Sequence, residues 1–387
     1  MEKLTANELV NLVKTVFPAM PNDRRLAILV DVPRNPVSDN PAWRLRRQLA
    51  GEWYAVLESQ AGALGLQGID LIAYPDVGSN GADLPQYGFL MREKLPHTAF
   101  GLDEAGEKME FTKIFQDFQL YLAPTEYSTT PPLKKAAPGY GFRAATMPGF
   151  SPAMIPALRF DYTEISRRVS RLKELLDPAD RAEVVFTVNR EKTFKMLFDL
   201  RFRTAHLSSG RFPEPGTAGN LPSGETYIVP YEGEKGEKSG TTGILPVQIG
   251  SDILLFTVEE NRAIHVESYF DGPESEELIT EQAHLRRDPV YGNMAELGFG
   301  VLGDFGLMPI NEILLDEKLG FHVAFGRSDH FGGIVGPGDF SSPSAVIHLD
   351  RIYIPATQPL IEVTSIVLGF ANRPDEPLMK DNRYLIF

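Results

Sequence analysis

The sequence predicts an α/β protein: an N-terminal α/β domain with a partly parallel sheet, followed by a β-rich α+β domain. The first observation is length, since 387 residues are too many for one ordinary hydrophobic core. The second is the alternation of helix-like and strand-like segments in the first part, the β-α-β pattern of a parallel sheet. The third is a change near residue 190 to short β-rich pieces between long turns. We expect domains at 1–180 and 181–387.

Apolar spacing and segment length predict the elements of the first domain and the start of the second. Helices are expected over 9–17, 43–64, 111–118 and 161–176, and strands over 26–31, 69–74 and 183–188. The segment 139–156 is rich in glycine and proline and is expected to be a connection.

The second domain is expected to be mostly β-structure with one helix, over 275–286. The segment 233–238 is expected to form the tip of a hairpin. Long loops often carry functional residues. The longest turns are expected over 210–224, 232–242 and 332–343.

Composition excludes several classes of partner. The net charge of −14 provides no basic field for nucleic acid or an anionic membrane. No apolar run approaches the ~18 residues needed to span a bilayer. The N-terminal segment lacks the apolar core of a signal peptide, so a cytoplasmic location is expected. Cysteine is absent, so any bound metal must use nitrogen and oxygen ligands.

The segment 341–354 is the most informative part of the chain. Its β-branched and aromatic residues predict a strand. Side chains two residues apart on a strand point to the same face, so His348 and Asp350 place an imidazole beside a carboxylate. This is how a strand presents two ligands to one metal ion.

Three other segments carry polar residues in unusual settings. A Pro-Ser-Gly turn precedes Glu225, Glu296 stands among apolar residues and glycines, and His322 follows the acidic turn 315–318. Taken singly, each has an ordinary alternative as a solvated acid or a core histidine. Together with His348 and Asp350 they supply two histidines and three carboxylates, about the set that a two-metal hydrolytic site needs.

These segments resemble, in order and spacing, the thermophilic metalloprotease family, the group of aminopeptidase T, aminopeptidase S and PepS. The resemblance covers about 140–355 and is only general over the first 140 residues. The matching segments are Arg143–Pro148, Asn220–Glu225, Ala295–Gly298, Leu315–Lys318, His322–Gly326, Gly332–Gly333 and Ser344–Asp350.

The resemblance implies a homodimeric leucyl-type metallo-aminopeptidase whose catalytic domain is the second one. It implies two divalent ions, Zn, Co, Mn or Mg, and a peptide or small-molecule substrate. The ligands that it implies are Glu225, Glu296, His322, His348 and Asp350.

The chain departs from the family at two places. The link between Lys318 and His322 is shorter than usual, and Asp329 stands where the family has a tyrosine thought to assist catalysis. An aspartate cannot donate a phenolic proton; His330 beside it is a possible donor, or else a solvent-facing loop histidine. Glu317 is a candidate proton shuttle, with an ordinary surface turn as the alternative.

Two alternative functions remain open. His322, His348 and Asp350 form the two-His-one-carboxylate set of non-haem Fe(II) oxygenases, and the fold family resembles that of a 2,5-dihydroxypyridine ring-opening dioxygenase. Glu225 and Glu296 favour the hydrolase, because a mononuclear iron site does not need them. The third reading is a metal-binding homologue without turnover.

A nucleotide motif is excluded by its context. The segment Gly298–Gly303 matches G-x-G-x-x-G, but the sequence predicts neither the strand before it nor the helix after it that a dinucleotide site requires.

Overall fold

The computed structural model describes residues 2–387 and confirms the predicted fold class. One seven-stranded sheet is largely parallel, and sheets of five and eight strands are antiparallel. The chain forms two compact units. The first runs up to Ser166 and includes Gly210–Ser223, and the second comprises Arg167–Ser209 and Gly224–Phe387. The domain limits expected from the sequence stay a prediction.

The first unit is built on the parallel sheet. Its strands are β1 (Arg25–Val32), β2 (Gly68–Pro75), β3 (Tyr87–Met91), β4 (Gly106–Glu110), β5 (Leu120–Ala123), β6 (Arg143–Thr146) and β10 (Thr217–Asn220). They lie in the order β10-β6-β5-β1-β2-β3-β4, and β3 pairs antiparallel with β2 on one side and with β4 on the other. The central strand β1 is buried from Leu26 onward, as expected for a parallel strand covered on both faces.

The first unit has a helix at each of the four predicted segments and three further helices, over Leu102–Ala105, Thr130–Tyr140 and Ile155–Leu158, that were not predicted. They are α1 (Ala6–Val16), α2 (Pro41–Ser59), α3 (Leu102–Ala105), α4 (Phe111–Asp117), α5 (Thr130–Tyr140) and α6 (Ile155–Leu158); α7 (Tyr162–Leu176) continues into the second unit. Thr5 and Glu8 form a reciprocal cap at the start of α1, and Asn40 caps α2 ahead of Pro41. Across residues 2–387, no helix combines the length and apolar character needed to cross a membrane.

Two segments expected to be connections or turns contain strands. The segment 139–156 contains β6, and 210–224 contains β10, each only four residues long. Their strand character was missed because glycine and proline flank them and their runs are too short for a periodicity. They become strands because each pairs in parallel along an existing strand, β6 with β5 and β10 with β6.

The second unit contains the two antiparallel sheets. The eight-stranded sheet consists of β7 (Arg181–Val188), β8 (Lys192–Asp199), β12 (Thr242–Ile249), β13 (Asp252–Glu259), β14 (Arg262–Ser268), β18 (Ile361–Gly369), β19 (Glu376–Lys380) and β20 (Arg383–Tyr384). The five-stranded sheet consists of β9 (His206–Ser208), β11 (Glu225–Ile228), β15 (Met294–Gly300), β16 (Phe321–Gly326) and β17 (His348–Ile352), in the order β17-β16-β15-β11-β9. Its helices are α8 (Glu276–Arg287) and α9 (Ile313–Asp316).

The five-stranded sheet packs one face against the larger sheet. Phe321 and Phe325 of β16 contact Phe186 of β7 and Phe256 of β13, with ring centroids 6.3 Å and 5.1 Å apart. Because side chains alternate along a strand, His322 of β16 must point to the opposite face. The apolar packing on one face therefore determines which residues the other face presents.

The segment 233–238 is not the tip of a hairpin. It lies in turns between β11 and β12, and these two strands belong to different sheets. The two glycines of this segment, Gly233 and Gly236, instead lie in the loop that connects one sheet to the other.

Candidate metal centre

The five residues implied as ligands share one face of the five-stranded sheet. Strand pairing sets Glu225 opposite Gly300, His322 opposite Gly298, and Asp350 opposite Ala324. Directly paired residues, and residues two positions along a strand, lie on the same face. Four neighbouring strands therefore contribute ligands to one place, which is why 125 residues of sequence separate Glu225 from Asp350.

Glu296 is the central residue of the cluster. Its Oε1 lies 3.4 Å from His322 Nε2 and its Oε2 lies 3.1 Å from His348 Nε2. The potential ligand atoms form two groups: one contains Glu225, Glu296 and His322, and the other contains Glu296, His348 and Asp350. In each group these atoms lie within 4.8 Å of one another, and Glu296 belongs to both.

Glycines in β15 make room for this cluster. A Cβ atom added to Gly298 would lie 1.9 Å from His322 Nε2, and one added to Gly300 would lie 2.3 Å from the backbone carbon of Lys318. The strand is followed by a short 3₁₀ turn, Leu302–Phe305, and not by the α-helix of a dinucleotide site. Gly298 thus accommodates the His322 ring, and Gly300 accommodates the backbone of Lys318.

Backbone carbonyls orient both histidines. His322 Nδ1 lies 3.2 Å from Gly320 O, and His348 Nδ1 lies 2.8 Å from Arg327 O. If each Nδ1 donates to its carbonyl, each Nε2 is left with its lone pair directed at the carboxylates. This is the arrangement by which metal-binding histidines are usually held.

The donor set fits a divalent cation. Glu225 Oε1 accepts a hydrogen bond from Lys318 Nζ at 2.5 Å, whereas Glu225 Oε2 is buried without a hydrogen-bond partner, 3.8 Å from His322 Nε2. A buried carboxylate oxygen without a partner is costly, and a cation bound there would satisfy it. The remaining donors are imidazole nitrogens and carboxylate oxygens, which suit Zn and Mn, while Mg prefers oxygen donors.

The electrostatic field at the cluster favours positive charge. Burial by itself lowers the pKa of His322, but the hydrogen bond to Glu296 and the nearby carboxylates raise it to about 10. Burial also lowers the pKa of His348, and the hydrogen bond to Glu296 and the nearby carboxylates raise it to about 9. Burial works against the charge of Glu296, and the two histidines outweigh it and hold the pKa of Glu296 below its usual value. The carboxylates thus create a negative potential at the two Nε2 atoms, which also attracts metal ions.

Glu317 and Lys318 border the cluster. Lys318 is buried and pairs with both Glu317 and Glu225. Burial is the main cause that raises the pKa of Glu317 to about 8; the Lys318 charge opposes this, and the carboxylates of Glu225 and Asp350 add to it. Glu317 is therefore not a residue of an ordinary surface turn.

Asp329 and His330 lie on the loop after β16. Asp329 accepts a hydrogen bond from Arg327 Nε at 2.5 Å, and about a third of its side chain is exposed. The His330 and His348 rings lie edge to face, with centroids 5.2 Å apart. Burial and the neighbouring charges of His348 and Arg327 lower the pKa of His330 to about 4, so its imidazole is neutral at neutral pH.

Two residues at the site were not predicted from the sequence. Lys318 belongs to the acidic turn 315–318, and Tyr227 lies outside the segments that predict the site. The sequence holds a signal for Tyr227, because it follows Glu225 by two residues on a strand and so lies on the same face. Burial mainly raises the pKa of the Tyr227 phenol, and the Glu296 and Glu225 carboxylates raise it further.

No protein-family model matches the chain, and no curated protein matches its sequence. Solved structures do match in fold. The 2,5-dihydroxypyridine dioxygenase from Pseudomonas putida KT2440 superposes with a TM-score of 0.60 at 14% identity, over 99% of this chain and 98% of that chain. AmpT from Thermus thermophilus superposes with a TM-score of 0.53 at 12% identity, over 98% of this chain and 99% of that chain. At such identities the similarity concerns the fold, which this chain shares with both along nearly its whole length.

Proposed function

We propose that the protein is a metal-dependent aminopeptidase that hydrolyses N-terminal peptide bonds at a site for two divalent ions. One observation carries the proposal. Glu296 belongs to both ligand groups and directs one carboxylate oxygen toward each histidine. A carboxylate placed in this way suits a site that shares one acid between two ions, whereas a mononuclear iron site held by His322, His348 and Asp350 does not need Glu296.

The ligands divide into two sets around Glu296. Glu225 and His322 would hold one ion, and His348 and Asp350 would hold the other. Two divalent ions at such a site polarise the scissile carbonyl and lower the pKa of a bound water, so that hydroxide is available near neutral pH. Zn, Co, Mn and Mg are the candidate metals.

Glu317 is the proposed proton carrier. Hydrolysis requires that a proton leave the attacking water and reach the departing amine, and an acid whose pKa lies near the working pH transfers protons efficiently. The raised pKa of Glu317 fits this task. Asp329 and His330 remain proposed accessory residues on the neighbouring loop; only His330 has an N–H to donate.

Metal analysis combined with a peptidase assay tests the proposal. The chain is stripped with a chelator and reloaded with Zn, Mn or Co, and the bound metal is counted by mass spectrometry. We expect two ions per chain and release of 4-nitroaniline from leucyl-4-nitroanilide. His348→Ala should lose metal and abolish activity, whereas His284→Ala, whose ring stacks on Tyr291 away from the ligands, should change neither. A maximum of one ion per chain after saturation would contradict the two-metal site.

One contact favours a second candidate, an Fe(II) ring-cleaving dioxygenase. The Lys318 ammonium lies 2.5 Å from Glu225 Oε1 and supplies a positive charge that a second metal would otherwise bring. A single Fe(II) would then be held by His322, His348 and Asp350. The structural similarity to 2,5-dihydroxypyridine dioxygenase is consistent with this candidate, because that enzyme has the same fold.

Oxygen consumption separates the candidates. The chain, loaded anaerobically with Fe(II), is mixed with 2,5-dihydroxypyridine and O₂ uptake is followed. Uptake together with one iron per chain supports the dioxygenase and counts against the aminopeptidase. Metal binding without turnover in either assay, across the substrates tried, would indicate the third reading, a metal-binding homologue.

A further inference from the structure

Tyr227 stands on the ligand-bearing face of the sheet, on the same strand as Glu225. It follows Glu225 by two residues on β11 and pairs with Gly298 of β15. Gly298 has no side chain, and the His322 ring occupies the space that a Cβ there would need. Tyr227 and His322 therefore approach the same glycine from the strands on either side of it.

Aromatic neighbours hold the Tyr227 ring in place. The ring stacks on His206, with centroids 5.4 Å apart and planes inclined by 24°. On another side it contacts Phe331 at 4.7 Å, and Phe331 in turn contacts the ring of His348 at 5.2 Å. Only 9% of Tyr227 is exposed, so its orientation is determined before any substrate binds. A group ordered in advance adds little entropy cost when it contacts a ligand.

The hydroxyl group of Tyr227 makes no hydrogen bond within residues 2–387. The charges of the Glu296 and Glu225 carboxylates nevertheless act on it and raise its pKa further above the value that burial gives. A phenol can both donate and accept one or more hydrogen bonds. By contrast, Asp329 has no proton to donate when ionised, and its carboxylate is already bound to Arg327. Tyr227 thus supplies from β11 a phenol that the loop residue Asp329 does not.

We propose that Tyr227 donates a hydrogen bond to the carbonyl oxygen of the scissile bond while that oxygen gains negative charge. This inference rests on the proposed aminopeptidase function. As water adds to the carbonyl carbon, the new C–O bond forms and the π electron pair moves to the carbonyl oxygen, where the phenol stabilises it without losing its proton. The pair then returns as the C–N bond breaks, and the leaving nitrogen takes the proton that the water released.

Tyr227→Phe tests the proposal, since it keeps the ring and its stacking and removes only the hydroxyl. The full-length, metal-loaded chain is titrated by calorimetry with a phosphonate analogue of a leucyl peptide, whose tetrahedral phosphorus mimics the addition intermediate. We expect binding to weaken at least about tenfold and kcat on leucyl-4-nitroanilide to fall about 100-fold, as when one oxyanion donor is removed. KM should change less than about threefold, because the hydrogen bond strengthens only in the transition state.

Tyr291→Phe is the matched control. Tyr291 is a buried tyrosine of the same unit whose hydroxyl donates to Glu281 at 2.8 Å. We expect this variant to bind the analogue and turn over substrate as the unchanged chain does. Metal content and the midpoint of thermal unfolding are measured for all three proteins, so that a folding defect is recognised.

Each remaining outcome is decisive. Analogue binding and kcat unchanged in Tyr227→Phe would overturn the role of the phenol and leave the aminopeptidase proposal intact. Loss of metal in Tyr227→Phe would assign the residue to the metal site and also overturn it. If the unchanged chain, with two ions bound, neither binds the analogue nor cleaves leucyl substrates, the proposed function fails and this inference fails with it.

Discussion

At the scale of the residue, the site depends on carboxylates that serve two neighbours at once. Glu225 binds Lys318 through one oxygen and leaves the other without a partner, and Glu296 faces both histidines. Lys318 offsets part of the negative charge that so many buried acids would otherwise concentrate. The same ammonium leaves the second oxygen of Glu225 available to a cation.

Glu317→Gln tests the proton carrier. Glutamine keeps the size of the side chain but cannot take up a proton, so we expect kcat on leucyl-4-nitroanilide to fall about 100-fold, within the range for loss of a general acid or base. Metal content should stay the same, because Glu317 is not in either ligand group. Steady-state kinetics with metal analysis measures both.

The control for that substitution is Glu312→Gln, an exposed acid just before the same turn. It should leave kcat unchanged. If Glu317→Gln is as active as the unchanged chain, proton transfer must be assigned to another group, of which His330 is the first to examine.

At the scale of the element, the alternation of β15 and β16 creates the site. One face of β16 packs aromatic rings against the larger sheet and the other presents His322, while β15 contributes Glu296 and two glycines to the same face. A β-bulge between Met294 and Glu296 adjusts the register at this point. Bulges often redirect a side chain near a functional site.

Gly298→Ala should therefore damage the metal site more than the fold of the sheet. The new methyl group would overlap His322 Nε2, so the ring must move away from Glu296. We expect metal affinity, measured by competition with a chelating dye, to fall at least about tenfold. Loss of a residue that only supports a metal ligand already lowers affinity by about that factor.

Gly68→Ala is the control, a strand glycine of β2 at which a Cβ would meet its nearest neighbour at an ordinary 3.8 Å. It should leave metal affinity unchanged. Unchanged affinity in Gly298→Ala would mean that His322 can bind metal from another rotamer.

A buried acid anchors the loop that carries Asp329 and His330. Glu232 accepts hydrogen bonds from Asn293 Nδ2 at 2.7 Å, Ser328 Oγ at 2.6 Å and the backbone N–H of Ile334 at 2.5 Å. Arg203 adds a longer contact to Glu232 at 3.5 Å and donates to the Gly332 carbonyl. The loop thus has a defined position beside His348.

Glu232→Ala should release this loop. It leaves the Ser328 hydroxyl and one N–H of Asn293 buried without this acceptor, each costing about 1–3 kcal/mol, so we expect lower stability and at least about tenfold faster amide hydrogen exchange over 328–335. Mass spectrometry of exchanged peptides measures it. Glu183→Ala, which removes only a surface ion pair with Lys195, should not alter exchange in this segment; equal protection in Glu232→Ala would show that the loop is held by other contacts.

At the scale of the whole molecule, we propose a homodimer, which the family resemblance implies. Light scattering at micromolar concentration should then give twice the chain mass of 43.0 kDa. If repulsion between the acidic surfaces weakens the association of two chains, added salt should screen that repulsion and strengthen the dimer. A monomer at all salt concentrations would remove this proposal without affecting the metal site.

The sequence by itself determined the fold class and the identity of the clustered residues. Period-two alternation places His348 and Asp350 on one face of a strand, and that local rule requires no knowledge of neighbouring strands. The long helices were found for a similar reason, since α1 and α2 have clear apolar spacing and capping residues.

Only the tertiary structure decided what depends on pairing between distant segments. The short strands β6 and β10 exist because neighbouring strands accept them, and neither has a pattern of its own. The position of Glu296 between two histidines follows from the register of β15 against β16. A slip of one residue in that register would turn the Glu296 side chain to the opposite face of the sheet. Lys318 and Tyr227 enter the site for the same reason: their chemistry is visible in the sequence, but the residues that they face are supplied by other strands.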